Sequence, residues 1–228
     1  ERVRAGGQAS DAPLTPARGA AIGLYGLSAV FQQESDSTSS LTSLSLALML
    51  DPTFDGARLT FAQQQSRLGH TATARAMLAR IPANSAYAGS ARTMEAWILL
   101  EAGSEEEALA LAQANAAGGE ARAQRTLAEM YRTLNRHAAA EPLYTTLIAA
   151  QPNDWRLYFS RGVSRERLGR WPEAEADFQQ ALRLSPDQPD VLNYLGYTWV
   201  DRGERLQEGL AMIQRAVELR PASGAIID

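Results

Sequence analysis

The 228-residue chain contains no cysteine, which excludes disulfides, thiolate metal sites, thiol nucleophiles and redox switching while leaving the compartment open. Lysine is also absent, so all 22 basic residues are arginine. Histidine occurs only twice, at His70 and His137, and the usual supply of general bases is correspondingly thin. Strand patterns are missing too, because no Val/Ile/Thr-rich alternating run is bounded by turn residues. The most apolar early run, AAIGLYGLSAVF at residues 20–31, falls short of the roughly 20 residues that cross a bilayer and reads as a core helix. A formal charge of -4 and a pI of 5.4 provide no field for coating nucleic acid. With 45% hydrophobic and 21% charged residues, the chain is able to bury a substantial core.

Signatures of chemistry are equally scarce. No H-E-x-x-H, G-x-S-x-G, Walker loop or G-x-G-x-x-G occurs. Both histidines fall in expected interhelix turns, LGHTA and LNRHAAA, and read as solvated turn residues rather than as ligands or bases. The GLYG cluster reads as a site of close helix packing. Glu105, Glu106 and Glu107 follow Ser104 at a helix start, where carboxylates favour the helix dipole, and Ser104 with Glu107 has the spacing of a capping box. No catalytic residue, metal ligand or cofactor site is therefore expected.

What the chain does have is punctuation at a fixed interval. Pro152, Pro186 and Pro221 each close an apolar segment, 34 and then 35 residues apart. Gly162 and Gly196 are separated by 34 residues, as are Gly169 and Gly203, whereas Ala181 and Ala216 are 35 apart. One extra residue therefore lies between Gly203 and Ala216, most simply in the turn DRGERLQE. Within LGRWPEAEADFQQALRLSP (168–186), Gly169 suits a turn with positive φ and Pro172 a helix start, while Ala174 and Ala181 allow close nesting. Each unit is a helical hairpin too thin to bury both its faces, so neighbouring hairpins must stack.

This pattern resembles the tetratricopeptide repeat family. The match is carried by Tyr158, Gly162, Gly169, Ala174, Phe178, Ala181 and Pro186 in residues 155–188. Leu192, Leu195, Gly196, Trp199, Gly203, Ile213, Ala216 and Pro221 carry it in 189–223, where Gly209 replaces the family's usual Ala. Leu127, Ala128, Tyr131, Ala140, Tyr144 and Pro152 carry it in 121–154, and Leu147 stands there in place of a small residue. Fainter versions occupy about 21–54, 55–85 and 89–120, with Pro82 shortening the second helix of the middle one. The resemblance implies an all-α, right-handed α-solenoid of about six hairpins over residues 17–223. Residues 1–16 are expected to be a linker or the remnant of a preceding segment. GAIID, with residues 224–228, is expected to start a further repeat that is truncated, leaving Leu210, Ile213 and Val217 as an apolar stripe to be covered either by continuation of the natural chain or by self-association with another copy. Arg161 and Arg165 stand where the family carries apolar residues, so their stems should lie along apolar surface while the guanidiniums reach water or an acid.

In this family the first helix of each hairpin lines a concave face. Carried over residue by residue, that implies a partner-binding groove of Trp97, Arg122, Arg125, Glu129, Arg132, Arg156, Phe159, Asn193 and Tyr197. Guanidiniums take carboxylates in two-point fashion and aromatic anchors supply affinity, so the expected guest is another protein or an extended peptide, acidic or ended by a carboxylate. The same arginines would also suit the solvated faces of amphipathic helices, and the sequence leaves both readings open. The resemblance implies a non-catalytic interaction scaffold. Absence of lysine removes the Lys/Asn clamp used by chaperone-binding members. Residues 193–228 are similar to bacterial envelope members that bind and activate a carboxyl-terminal processing protease, which implies a bacterial source and a periplasmic or envelope address, with a cytoplasmic one as the alternative. Two alternatives stand beside the scaffold: a regulatory or adaptor subunit that activates such a protease, and a targeting module of a larger enzyme.

Overall fold

The computed structural model describes residues 15–221. Most of the expected linker and the whole expected start of a further repeat at 224–228 lie outside the described residues. Among the described residues there are twelve α-helices and no strand, joined in sequence as six hairpins. They form two compact units, Glu1–Gly118 and Gly119–Asp228.

The first unit holds α1 (Pro16–Gln33), α2 (Ser37–Leu50), α3 (Asp55–Arg67), α4 (Thr71–Leu78), α5 (Ala88–Glu101) and α6 (Glu105–Ala116). Thr15 caps α1, its hydroxyl accepting from the Arg18 amide at 3.2 Å, and Pro16 fills the first turn, where no amide proton is needed. Asp36 caps α2 through the Ser39 amide at 2.9 Å. The core is built from small residues: Ala21, Ala47, Ala57, Ala62 and Ala74 are fully buried around Leu44 and Leu78. A polar thread runs through it. Gln64 Nε2 donates to Ser40 Oγ at 2.8 Å, and that hydroxyl donates to the Ser28 carbonyl at 2.9 Å.

Two expectations fail in this unit and a third holds only in part. The apolar run in α1 is a core helix on one face alone, where Ala21 is buried and Leu24 and Tyr25 pack against the cluster of Leu44, Ala47 and Ala57, while Ile22, Leu27 and Val30 are exposed. Gly23 and Gly26 are not close-packing sites, since a Cβ on either would meet nothing within 4 Å. Ser104 precedes α6, but its hydroxyl makes no cap hydrogen bond, so the capping box does not form; the three following glutamates still occupy the first turn. α4 has only eight residues and stops four short of Pro82.

The second unit holds α7 (Ala121–Thr133), α8 (His137–Ala150), α9 (Trp155–Arg167), α10 (Trp171–Leu184), α11 (Pro189–Asp201) and α12 (Leu206–Leu219). Its core is larger-grained. Tyr144, Leu147, Leu157, Phe178, Leu195 and Trp199 are buried around Ala140, Ala174 and Ala181. A Cβ on Gly162 would lie 2.7 Å from the Phe178 ring, so the missing side chain is what lets α10 seat its aromatic against α9. Gly169, at φ 76°, makes the turn between those helices. Asp177 on α10 is buried between two arginines of α9: Arg161 donates Nε and Nη2 at 2.9 and 2.7 Å, and Arg165 donates Nη1 at 2.9 Å. Arg165 Nε reaches on to Glu141 of α8 at 2.9 Å, and Arg170 pairs with the same carboxylate.

His137 corrects a further expectation. It is not a solvated turn residue but the first residue of α8, buried, with an Nδ1 that has no hydrogen-bond partner. His70 does lie exposed, beside Gln65 at 2.7 Å. The extra residue of the last hairpin falls in its turn. α10 starts two residues after Gly169, whereas α12 starts three after Gly203, and the added Arg205 takes φ 44°. Its guanidinium lies over the Trp199 ring, 4.7 Å from the centroid. On α12, Leu210 is exposed and Ile213 and Val217 are half-buried.

Candidate functional site

Within the second unit a cleft of about 260 Å³ opens between α7 and α9. α7 contributes Arg125, Glu129 and Arg132, spaced by four and three residues so that one helical face carries all of them. α9 contributes Trp155, Phe159 and Val163 on one ridge and Arg156 and Ser160 on the next. The cleft is small for a cofactor or drug-sized ligand, which generally fills about 300 Å³ or more. It matches one or two side chains.

Much of the positive charge is already engaged. Arg125 Nη2 donates to Asp154 Oδ2 at 2.6 Å and to Gln151 Oε1 at 3.3 Å. Asp154 also caps α9, its Oδ1 accepting from the Arg156 amide at 3.0 Å. Arg132 donates through Nε to Glu129 Oε2 at 2.9 Å, and its Nη2 lies at the same distance. Ser160 Oγ donates to the other Glu129 oxygen at 3.3 Å. Arg156 is held least: its side chain is 66% exposed, 4.0 Å from Asp154 and stacked over Trp155 at 4.8 Å. Three guanidiniums thus face two carboxylates, a surplus of one positive charge.

Behind this wall lies Tyr144 of α8, fully buried, whose hydroxyl has no hydrogen-bond partner. Burial first, and the adjacent Glu129 carboxylate second, push its pKa far above that of an ordinary phenol. The group stays protonated.

Of the residues expected in the groove, Arg125, Glu129, Arg132, Arg156 and Phe159 line this cleft. The others do not. Arg122 is exposed on α7 outside the lining, and on α11 Asn193 is half-buried while Tyr197 is 61% exposed. Trp97 belongs to α5 of the first unit, half-buried. Phe159 is less a free anchor than part of an aromatic stack, with ring centroids 5.9 Å from Phe178 and 5.8 Å from Tyr194. Trp155, Ser160 and Tyr144 were not anticipated as site residues. The first two flank the face read from the repeat pattern, and the third occupies what the pattern treats as a core position.

The arrangement suits recognition. Among the described residues no group of three or more His, Cys, Asp or Glu could hold a metal ion, and no helix is long and apolar enough to cross a membrane.

The tetratricopeptide repeat profile matches residues 125–189 and, overlapping, 159–224. Residues 125–224 carry tetratricopeptide repeats. The TPR repeat-containing protein PA4667 of Pseudomonas aeruginosa is 34% identical over 77 residues, which is 34% of this chain but only 13% of that relative. Among solved tetratricopeptide folds, PilW, a widely conserved type IV pilus biogenesis factor, superposes with a TM-score of 0.74 at 16% identity, covering 91% of this chain and 96% of its own. YrrB, a TPR protein with an unusual peptide-binding site, gives 0.57 at 17% identity over 81% of this chain and 95% of its own. MamA gives 0.59 at 21% identity over 73% of this chain and 99% of its own. At these identities the likeness extends to the fold: stacked tetratricopeptide hairpins of the α-solenoid class.

Proposed function

We propose that this tetratricopeptide repeat protein is a non-catalytic scaffold that binds an extended segment of a partner protein in the α7–α9 cleft, and that the segment is acidic or ended by a carboxylate. The observation carrying the reading is the Arg156 guanidinium, exposed and weakly paired beside the apolar wall of Trp155, Phe159 and Val163. A carboxylate next to an apolar side chain complements both halves of that surface. The cleft's size supports a side-chain guest over a small-molecule cofactor. YrrB, of like fold, has an unusual peptide-binding site.

The test is selection from a displayed peptide library against the wild-type chain and against an Arg132→Ala/Arg156→Glu double variant. Wild-type selection should enrich Asp, Glu or free C-termini next to apolar residues, and the variant should lose that enrichment. If both proteins enrich the same peptides, the cleft is not the binding site.

A further inference from the structure

We propose that Glu129 is a built-in stand-in for the guest's carboxylate: it occupies the Arg132 fork in the free protein and moves onto the Tyr144 hydroxyl when an acidic peptide takes that fork. The inference rests on the peptide-binding reading above and adds a gate to the same cleft.

Arg132 presents Nε and Nη2, the edge of the guanidinium that grips a carboxylate in two-point fashion. Glu129 Oε2 sits 2.9 Å from both. The contact is local, three residues apart on one helix, between side chains 38% and 29% exposed. Pairs of this kind are weak and exchange readily with solvent and other ions. A guest carboxylate can therefore compete for the fork without dismantling the core.

What happens to the displaced Glu129 decides the outcome. A carboxylate set loose beside apolar side chains would oppose the guest by like-charge repulsion. The structure holds a vacant donor for it. Tyr144 is fully buried, and its hydroxyl lies close against Glu129, Arg132 and Ser160 without a well-aligned hydrogen bond to any of them. An unpaired buried hydroxyl is a standing cost that a native fold rarely carries. Ser160 Oγ already holds the Glu129 Oε1 oxygen at 3.3 Å, so the carboxylate has a pivot about which to swing. After the swing Glu129 is satisfied by Ser160 and Tyr144, Arg132 is satisfied by the guest, and the orphan hydroxyl is gone. Guests lacking a carboxylate leave the pair closed, so the gate also sets specificity.

The test uses fluorescence anisotropy with the full chain and a fluorescein-labelled octapeptide of alternating Leu and Asp with a free C-terminus, against an amidated Leu/Asn counterpart. Four proteins are compared: wild type, Glu129→Gln, Tyr144→Phe and the double variant, each checked for an unchanged helical spectrum. Because Glu129→Gln frees the fork, it should bind the acidic peptide roughly threefold tighter or more, the scale of a half-exposed ion pair. Tyr144→Phe should weaken binding by a similar factor in the wild-type background and leave it unchanged in the Glu129→Gln background, a coupling that a merely structural tyrosine would not produce. Equal affinities in all four proteins, or an equal gain for the amidated Leu/Asn peptide, overturn the gate while the cleft reading stands. Binding to none of the four overturns both.

Discussion

Gly196 of α11 and Gly209 of α12 meet backbone to backbone: a Cβ on Gly196 would lie 2.6 Å from the Gly209 carbonyl oxygen, and one on Gly209 would lie 2.8 Å from the Gly196 carbonyl oxygen. The contact explains why Gly209 departs from the alanine that the repeat pattern favours. Backbone cannot swing aside as a side chain can, so Gly209→Ala should destabilise the protein by about 1–3 kcal/mol despite alanine's better helix propensity. Urea denaturation should register the loss.

The reverse holds at Gly23 and Gly26, where a methyl group would meet nothing. Alanine there should stabilise α1 by about 0.5–1 kcal/mol per site, since a solvent-facing helical glycine contributes only backbone entropy to the unfolded state. Thermal melts of the two single variants check this, and a fall in melting temperature would mean that the exposed face of α1 is covered in solution.

Asp177 neutralises Arg161 and Arg165 from a side chain only 5% exposed, against 13% and 19% for the arginines. Removing it strands Arg161 in a nearly dry pocket and leaves Arg165 only Glu141, a carboxylate it shares with Arg170. Asp177→Ala should cost about 3–5 kcal/mol, whereas replacing all three residues by apolar ones of matched volume should restore most of the stability. Denaturation of the single and triple variants separates a need for charge from a need for filling.

Stability should fall in two stages on acidification. Burial first, then the charges of Arg167 and Arg132, hold His137 below its ordinary value of 6.5. The unfolded chain takes up that proton more readily, so stability drops as pH falls below 6.5. Glu141 behaves alike further down: burial would raise it, but hydrogen bonds from Arg165 and Arg170 outweigh burial and lower it beneath 4.5. Its contribution is complete above 4.5 and is lost as pH falls through the lowered value. A His137→Gln variant should flatten the first stage alone, as read by unfolding free energy at half-unit pH steps.

The last three hairpins were the most legible in the sequence because their turns and contacts require particular residues at fixed intervals: Gly169 for a positive φ, Gly162 for the Phe178 ring, and Ala174 and Ala181 for nesting. Such needs leave marks that survive without neighbours. His137 was misread because a turn position says nothing about whether the next helix buries its own first residue. Glycine in GLYG suggested contact, yet periodicity alone cannot say whether a partner helix lies opposite. For the cleft, the family pattern carried over residue by residue placed Arg125, Glu129 and Arg132 on one face. It could not reveal that Asp154, from the turn before α9, neutralises Arg125, nor that Tyr144 approaches from behind, since both depend on how α8 and α9 come to rest against α7.

The contrast between the two cores bears on how the chain comes apart. Alanines threaded by Ser28, Ser40 and Gln64 fill much of the first unit, whereas Trp199, Phe178 and Tyr144 fill the second. Larger apolar side chains withdraw more area from water, and in repeat arrays cohesion is summed locally rather than shared by the whole. Scanning calorimetry should therefore trace two endotherms, the earlier one belonging to the amino-terminal half. A chain cut after Gly118 would then leave a carboxyl-terminal piece that still holds every residue lining the cleft.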